Sequence, residues 1–397
     1  MRVPMMLDRL SPQAPDALLA LIRLHAADPR EDKIDLGVGV YRTDAGDTPV
    51  FAAIKAAEQA LVDSQDSKSY LGPEGDMGFV NGLMPYIFGT ANPTMSGRIQ
   101  GMQTPGGTGA VRLAFALAQK AGVRRIHMGV PSWPNHAQIL ADLGMEAVPF
   151  DHATADGTAN LDAVLAAING AAEDEAVLIH ACCHNPTGID YTADDWAAIT
   201  DAFVASGAFP IIDSAYQGLG HGMEEDAAGM RGLLARVPEA FIAYSCDKNF
   251  GQYRDRVGAF YVMAAEPAGL DTAFSNANAL ARAGWSMPPD HGGAAVRIIL
   301  RDPDMTAQWL AELDTMRARM RSVRDALAKA GSAGRVDLTP LGHQNGLFSM
   351  LPITKDEVAT LREDHGIYMA ASGRINIAGL TEANLPKFIA ALAAVAV

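Results

Sequence analysis

A lysine followed eight positions later by an arginine stands at the end of an apolar run in Tyr244-Ser-Cys-Asp-Lys-Asn-Phe-Gly-Gln-Tyr-Arg-Asp-Arg-Val-Gly258. Lys248 lies among small and aromatic residues. An amine held in such surroundings has a lowered pKa and can form a Schiff base with a carbonyl. Ser245 and Arg256 supply a hydroxyl and a planar cation, the donors a phosphate needs. A lone lysine after a strand is more commonly part of a surface turn, so the neighbours decide. Three further apolar runs end in polar clusters. Residues 125–130 lead into Pro131-Ser-Trp-Pro-Asn-His136. Residues 176–181 lead into Cys182-Cys-His-Asn-Pro-Thr-Gly188, and residues 209–212 into Asp213-Ser-Ala-Tyr-Gln-Gly218.

Asp213, closing an apolar strand, is poorly solvated and needs a cationic partner. A protonated pyridine nitrogen would be one. Tyr216 and Asn185 offer neutral donors for a phenolate, and Trp133 a flat face for stacking. Gly107 and Thr108 stand in Gln103-Thr-Pro-Gly-Gly-Thr-Gly-Ala-Val-Arg112, which opens a helix with Thr108 as its expected N-cap. With Ser245 and Arg256 they would form a phosphate cup. A lysine amine, a carboxylate, phenolate donors and a phosphate cup together describe a site for pyridoxal 5'-phosphate. Each residue also has a plainer reading: Asp213 as a helix cap, Trp133 as core, Asn185-Pro186 as a turn, Arg256 in a surface ion pair.

The elements that would position these residues alternate. Buried strands separated by helices, such as the one expected over 192–205 with Trp196 and Phe203 inward, imply a mostly parallel sheet with right-handed crossovers. Ligands bind such sheets at the carboxyl ends of the strands, where all four polar clusters fall. At 397 residues the chain exceeds one ordinary core. The expected fold is α/β, with an N-terminal arm over 1–14, a large cofactor-binding domain over 49–314 and a smaller, discontinuous α+β domain over 15–48 and 315–397. A helix is expected over 16–27, with Leu18, Leu19, Ile22 and Leu24 as its apolar stripe. The last helix is expected to start with Thr381 as N-cap.

Composition narrows the function classes. A net charge of −15 opposes nucleic-acid binding. Three cysteines without a C-x-x-C pair disfavour disulfides and structural zinc, and His136, His180 and His184 lack helical metal-ligand spacing. No apolar tract reaches the ~20 residues of a membrane span, and no signal-peptide pattern is visible, so a cytoplasmic protein is expected. Gly37-Val-Gly39 lacks the third glycine of a dinucleotide fingerprint, which disfavours a nicotinamide-dependent oxidoreductase.

Over nearly its whole length the chain resembles the class I aspartate and aromatic amino-acid aminotransferases, fold-type I pyridoxal-phosphate enzymes. The resemblance rests on DLGVGVYRTDAG, SYLGPEG, QTPGGTGAVR, PSWPNH, CCHNPTGID, DSAYQGLG, SCDKNFGQYRDRVGA, WSMPPDHG, NGLFSM and SGRINIAGL, in that order. It implies that Lys248 is the Schiff-base lysine and proton-transfer base and that Asp213 partners the pyridine nitrogen. Tyr216 and Asn185 become the phenolate donors, and Trp133 the stacking residue. Gly107, Thr108, Ser245 and Arg256 become the phosphate cup, joined by Tyr70 of the neighbouring subunit. Arg374 would bind the substrate α-carboxylate and Arg282, from the neighbour, a side-chain carboxylate. Gly39 and Phe348 would line the substrate pocket. A homodimer with shared sites, no metal, and ping-pong transfer between aspartate or aromatic amino acids and 2-oxoglutarate are implied with them. A decarboxylase, racemase or lyase on the same scaffold is the nearest alternative.

Two positions depart from the family. Asp247 replaces a small hydroxyl residue beside the lysine; because adjacent strand-like positions alternate sides, its carboxylate is expected to turn outward. Met287 stands where asparagine or an aromatic is usual, which leaves side-chain preference open.

Overall fold

The computed structural model describes residues 5–12, 17–90 and 97–397. Residues 1–4 and 13–16 of the expected arm and domain boundary, and the side chains of Leu18 and Leu19, lie outside the described residues. Among the described residues the central sheet has seven strands: β1 (Ile99–Pro105), β2 (Arg125–Val130), β3 (Glu146–Asp151), β4 (Glu175–His180), β5 (Phe209–Ser214), β6 (Ala240–Ser245) and β7 (Val257–Met263). Their order is β1-β7-β6-β5-β4-β2-β3. Strands β2 to β6 are parallel, so their carboxyl ends share one edge. Strand β7 runs antiparallel to both β6 and β1.

Central strands β4, β6 and β7 are buried along their whole length, because helices cover both faces of the sheet. Alternation splits their side chains between two cores. Ile212 and Ile242 pack with Trp196 and Phe203 of the helix Ala193–Ser206. Ile211 and Phe241 pack with Phe115 of helix α1 (Gly106–Lys120) and with Phe274. The two strands without a readable apolar run, β1 and β3, are the edges of the sheet. Strand β3 is largely exposed and accommodates Pro149, whereas β1 is mostly buried but carries Gln103 and Thr104 among its buried residues.

A third apolar cluster lies apart from the sheet. It gathers Ile34, Leu36, Leu361, Ile375, Phe388 and Leu392. Here Ile34–Asp35 pairs in parallel with Ile367–Tyr368, and β8 (Phe348–Met350) pairs antiparallel with β9 (Arg374–Asn376). The long helix Pro303–Ala330 joins the two regions, with Trp309, Leu313 and Met316 in the first core and Val323 and Leu327 in the third.

Three local expectations are corrected. Helix α1 begins at Gly106 after Pro105, so Thr108 sits within its first turn and caps nothing. The last helix runs Leu385–Val395 with Asn384 at its N-cap; Thr381 instead exchanges hydrogen bonds with Asn384. In helix Ala17–Ala27, Ile22 and Leu24 are 39% and 49% exposed rather than inward. That helix docks through the face carrying Leu21, which lies against Gly37, and His25, whose ring meets Tyr368 edge-on.

Candidate active site

Strand β6 ends at Ser245, and the chain leaves it through a turn that carries Asp247 and Lys248. Both residues line a cavity of about 200 Å³ at the shared edge of the sheet, with Ser245 beside them. Arg256, just before β7, closes the same wall. Its backbone is in the left-handed region at φ 56°, a conformation that costs free energy and persists only where surroundings impose it. Its carbonyl accepts the Gly106 N–H at 2.8 Å, which ties the arginine to the first residue of α1. Gly107 and Thr108 of that helix also line the cavity. A Cβ on Gly107 would lie 2.8 Å from Ser245 Cβ, so only glycine lets the helix approach the strand this closely. Apart from that of Gly106, the N–H groups of the first helical turn lack helical partners and favour an anion here.

Asp213, near the end of β5, is buried and also lines the cavity. Burial alone would raise its pKa. The hydrogen bond between its Oδ2 and His136 Nε2, at 2.9 Å, joined by charge interactions with His136, His180 and Lys248, more than offsets burial and holds the carboxyl below its ordinary range. His136 is steadied by Ser132 Oγ at 3.0 Å on its other ring nitrogen. This partner was not assigned to Asp213 from the sequence. Its signal was present: Trp133 and His136 are three residues apart at the start of helix α2 (Pro134–Asp142), and the loop after β2 brings both to the sheet edge. Trp133 lines the cavity and meets the His136 ring edge-on. His136, His180 and Asp213 also offer ligand atoms within 4.8 Å of one another, a grouping from three strand ends that linear spacing could not reveal. Burial lowers His180 to about 3, so that ring is neutral.

Asn185 Nδ2 donates to Tyr216 Oη at 3.3 Å, and both residues line the cavity. Asn185 Oδ1 is buried without a partner. Lys248 Nζ lies 5.3 Å from the centre of the Tyr216 ring. Burial lowers the lysine pKa, the charges of Asp247 and Asp213 raise it, and Arg256 lowers it; the net direction is down.

Asp247 contradicts the outward expectation. It is 2% exposed, and its Oδ2 lies on Arg256 Nη1 inside the cavity wall. Alternation fails because the strand has already ended at Ser245 and the next residues form a turn.

The remaining predicted residues divide into two groups. Gly39 lines the cavity, and a Cβ there would lie 2.6 Å from Phe348 Cζ, so the glycine makes room for that ring. Phe348 meets Tyr216 edge-on at 6.2 Å, and the Arg374 guanidinium lies 4.3 Å from the Phe348 ring centre. Arg374 donates to the Gly37 carbonyl at 3.0 Å, while its Nε is buried and unpaired. Tyr70 and Arg282 stand away from the cavity: Tyr70 is 91% exposed, and Arg282 is exposed and bonded to Ser286 Oγ.

Buried Arg324 fixes the segment ahead of Phe348. It donates to the carbonyls of Leu341, Asn345, Gly346 and Phe348 and to Ser349 Oγ, and burial lowers its pKa to about 9. Arg324→Met would strand these acceptors, and urea unfolding should register a loss of at least about 3 kcal/mol. A change below about 1 kcal/mol would show that the network is dispensable.

Comparison with known proteins matches residues 31–392 to the family model for aminotransferases of class I and II. The chain is 48% identical to the tyrosine aminotransferase of Rhizobium meliloti (strain 1021) over 379 residues, 95% of this chain and 97% of the relative. It is 39% identical to the aspartate aminotransferase of Escherichia coli (strain K12), covering 98% of this chain and 100% of the relative. Among solved structures, the aromatic-amino-acid aminotransferase of Burkholderia pseudomallei covalently bound to pyridoxal phosphate superposes with a TM-score of 0.95 at 34% identity, covering 99% of this chain and 100% of that one.

Proposed function

The chain belongs to the family of class I and II aminotransferases, and from that premise we propose that it transfers amino groups between aspartate or aromatic amino acids and 2-oxoglutarate. It is a pyridoxal-phosphate-dependent transaminase. The observation that carries the residue assignment is the buried Lys248 amine lining one cavity with the Asp213 carboxylate and the Arg256 guanidinium.

The residues present fit the cofactor. An ionised carboxylate, a cation beside a helix N-terminus, and an Asn185 oxygen left unpaired all border the same space. Asp213 would hold the pyridine nitrogen, with His136 orienting the carboxylate. Asn185 and Tyr216 would bond the ring oxygen, and Trp133 would stack on the ring. Ser245, Gly107, Thr108 and Arg256 would hold the phosphate. When bound, the cofactor supplies an electron sink for the charge left as a substrate α-proton departs. Lys248 takes that proton on Nζ and returns it, which its lowered pKa favours. Arg374 binds the substrate α-carboxylate, for which its unpaired Nε is a free donor. Gly39 and Phe348 shape the space beside it.

The dimer reading extends this assignment. Tyr70 and Arg282, exposed in one chain, would complete the site of a partner copy. The loop carrying Tyr70 touches the segment after the helix Pro267–Gly284, which carries Arg282, through the Leu71 N–H and Met287 Sδ at 3.1 Å, so the two would act together. Exposed apolar residues Met6, Leu7, Leu10, Ile22 and Val62 support such an interface. The third apolar cluster supports a small domain over 15–48 and 315–397 that adjusts against the large one over 49–314. No helix among the described residues is long and apolar enough to cross a membrane.

The overall reading is tested by adding aspartate, glutamate or phenylalanine to the yellow holoprotein. The visible band should change with each amino donor that the enzyme accepts, and a panel with 2-oxoglutarate as acceptor ranks the donors. A band that no amino acid alters would sink the transaminase assignment. For Arg282→Ala, kcat/KM for aspartate should fall roughly 10- to 100-fold, while that for phenylalanine changes far less. Equal losses for both would count against side-chain carboxylate recognition by Arg282.

A further inference from the structure

The space proposed for the cofactor phosphate already contains an anion belonging to the protein. A Cβ placed on Gly106 would lie 2.5 Å from Arg256 Nη2 and 3.2 Å from Asp247 Oδ2, so guanidinium and carboxylate both rest at the first residue of α1. Asp247 Oδ1 accepts the Val257 N–H at 3.2 Å, and the Asp247 N–H donates to Ser245 Oγ at 3.2 Å. The carboxylate thus engages the arginine that would otherwise be free for a phosphate, while Ser245 Oγ, accepting from the Asp247 N–H, keeps its own O–H to donate.

We propose that Asp247 competes with the cofactor phosphate for Arg256, so that the phosphate enters together with one proton and cofactor retention weakens as pH rises. The inference rests on the cofactor reading given above. Two cations face Asp247, Lys248 beside it and Arg256 from the start of β7. The other titratable groups near it, Cys246 and Tyr253, are raised by burial and stay neutral. Burial already raises the Asp247 pKa above its ordinary value, although Lys248 and Arg256 pull it down. A phosphate dianion in the cup adds like charge and raises it further. The bound form then carries more protons than the free form, and affinity falls with pH between the two pKa values. A cup without the carboxylate behaves oppositely, since the dianion formed at higher pH binds its cation more strongly.

Calorimetry on the cofactor-free protein with inorganic phosphate as probe tests this. Titrations at about pH 8, where free phosphate is dianionic, in two buffers of different ionisation enthalpy count the protons taken up. The native protein should take up clearly more protons per phosphate than Asp247→Asn, in which only the Lys248 amine remains to respond to the dianion, and the variant should bind at least about tenfold tighter. Asp247→Ser should behave as Asp247→Asn does. No uptake by the native protein, equal uptake by the variants, or variant affinity no greater than native would each overturn the proposal. If neither variant folds, the proton count on Lys248→Ala, which keeps Asp247 and lacks the amine, decides: no uptake there overturns the proposal. Failure of the cofactor reading is separately visible: pyridoxal phosphate would then give no coloured adduct, whatever inorganic phosphate does.

Discussion

Lys248→Ala should lower kcat for transamination by about four orders of magnitude, because the group that takes and returns the α-proton is removed. The variant should also gain no cofactor mass after borohydride reduction, whereas the native chain gains one on the peptide containing residue 248. A variant retaining a tenth of native kcat, or a label on another lysine, would place the chemistry elsewhere. The lysine environment sets the pH sense. Burial lowers the Lys248 pKa more than the Asp247 and Asp213 charges restore it. An amine reacts when neutral, so the rate of covalent cofactor attachment should rise with pH and level off below the pKa of an exposed lysine, ~10.4. Fast trapping across a pH series measures that limb; a plateau at or above the exposed value would contradict the burial argument.

The second large effect is expected for Asp213→Asn. The change keeps shape and a contact to His136 but removes the negative charge that would keep the pyridine nitrogen protonated. A loss of roughly 4 kcal/mol of charge stabilisation corresponds to about a thousandfold in kcat. Substrate affinity should change much less, since Arg374 is untouched. Against the burial that would raise it, the His136 bond and neighbouring charges together depress the Asp213 pKa, so the carboxylate stays ionised through its ordinary range and becomes protonated only as pH falls through the lower folded value. Its contribution to stability is therefore complete above the unfolded pKa and lost only in strong acid. An activity loss on acidification near neutrality must come from another group. If Asp213→Asn kept more than a tenth of native kcat, the proposed partnership with the pyridine nitrogen would fail.

Much of the site was legible because its residues follow apolar runs. A buried parallel strand reads as an apolar stretch, and its end reads as the first polar or small residue. Thus Asp213, Ser245 and Lys248 could be placed at one sheet edge from the order of residue types, and Gly107 at an anion-binding helix N-terminus; that Gly107 also lets the helix approach Ser245 closely came only from the structure. The edge strands β1 and β3 were not legible, since β3 is largely exposed and β1, although mostly buried, is built from Gln100, Gly101, Gln103 and Thr104 and carries no continuous apolar signal. The stripe through Ile22 and Leu24 was read as inward, yet that helix meets the rest of the chain through Leu21 and His25. An apolar stripe specifies that a face seeks cover, not which surface covers it.

The sequence by itself determined the inventory: a lysine, a carboxylate, phenolate donors, a cationic cup and two further arginines, each in a local motif whose chemistry depends on residue type. Tertiary structure decided the pairings. His136 reaches Asp213 only because separate strands end side by side, and Arg374 meets Phe348 only through the pairing of β8 with β9. The direction of Asp247 belongs to the same class. Period-two alternation governs a strand, but this residue lies in the turn beyond it, where Arg256 and the Val257 N–H draw the carboxylate inward. Local pattern carries what a residue can do, while long-range packing sets what it faces.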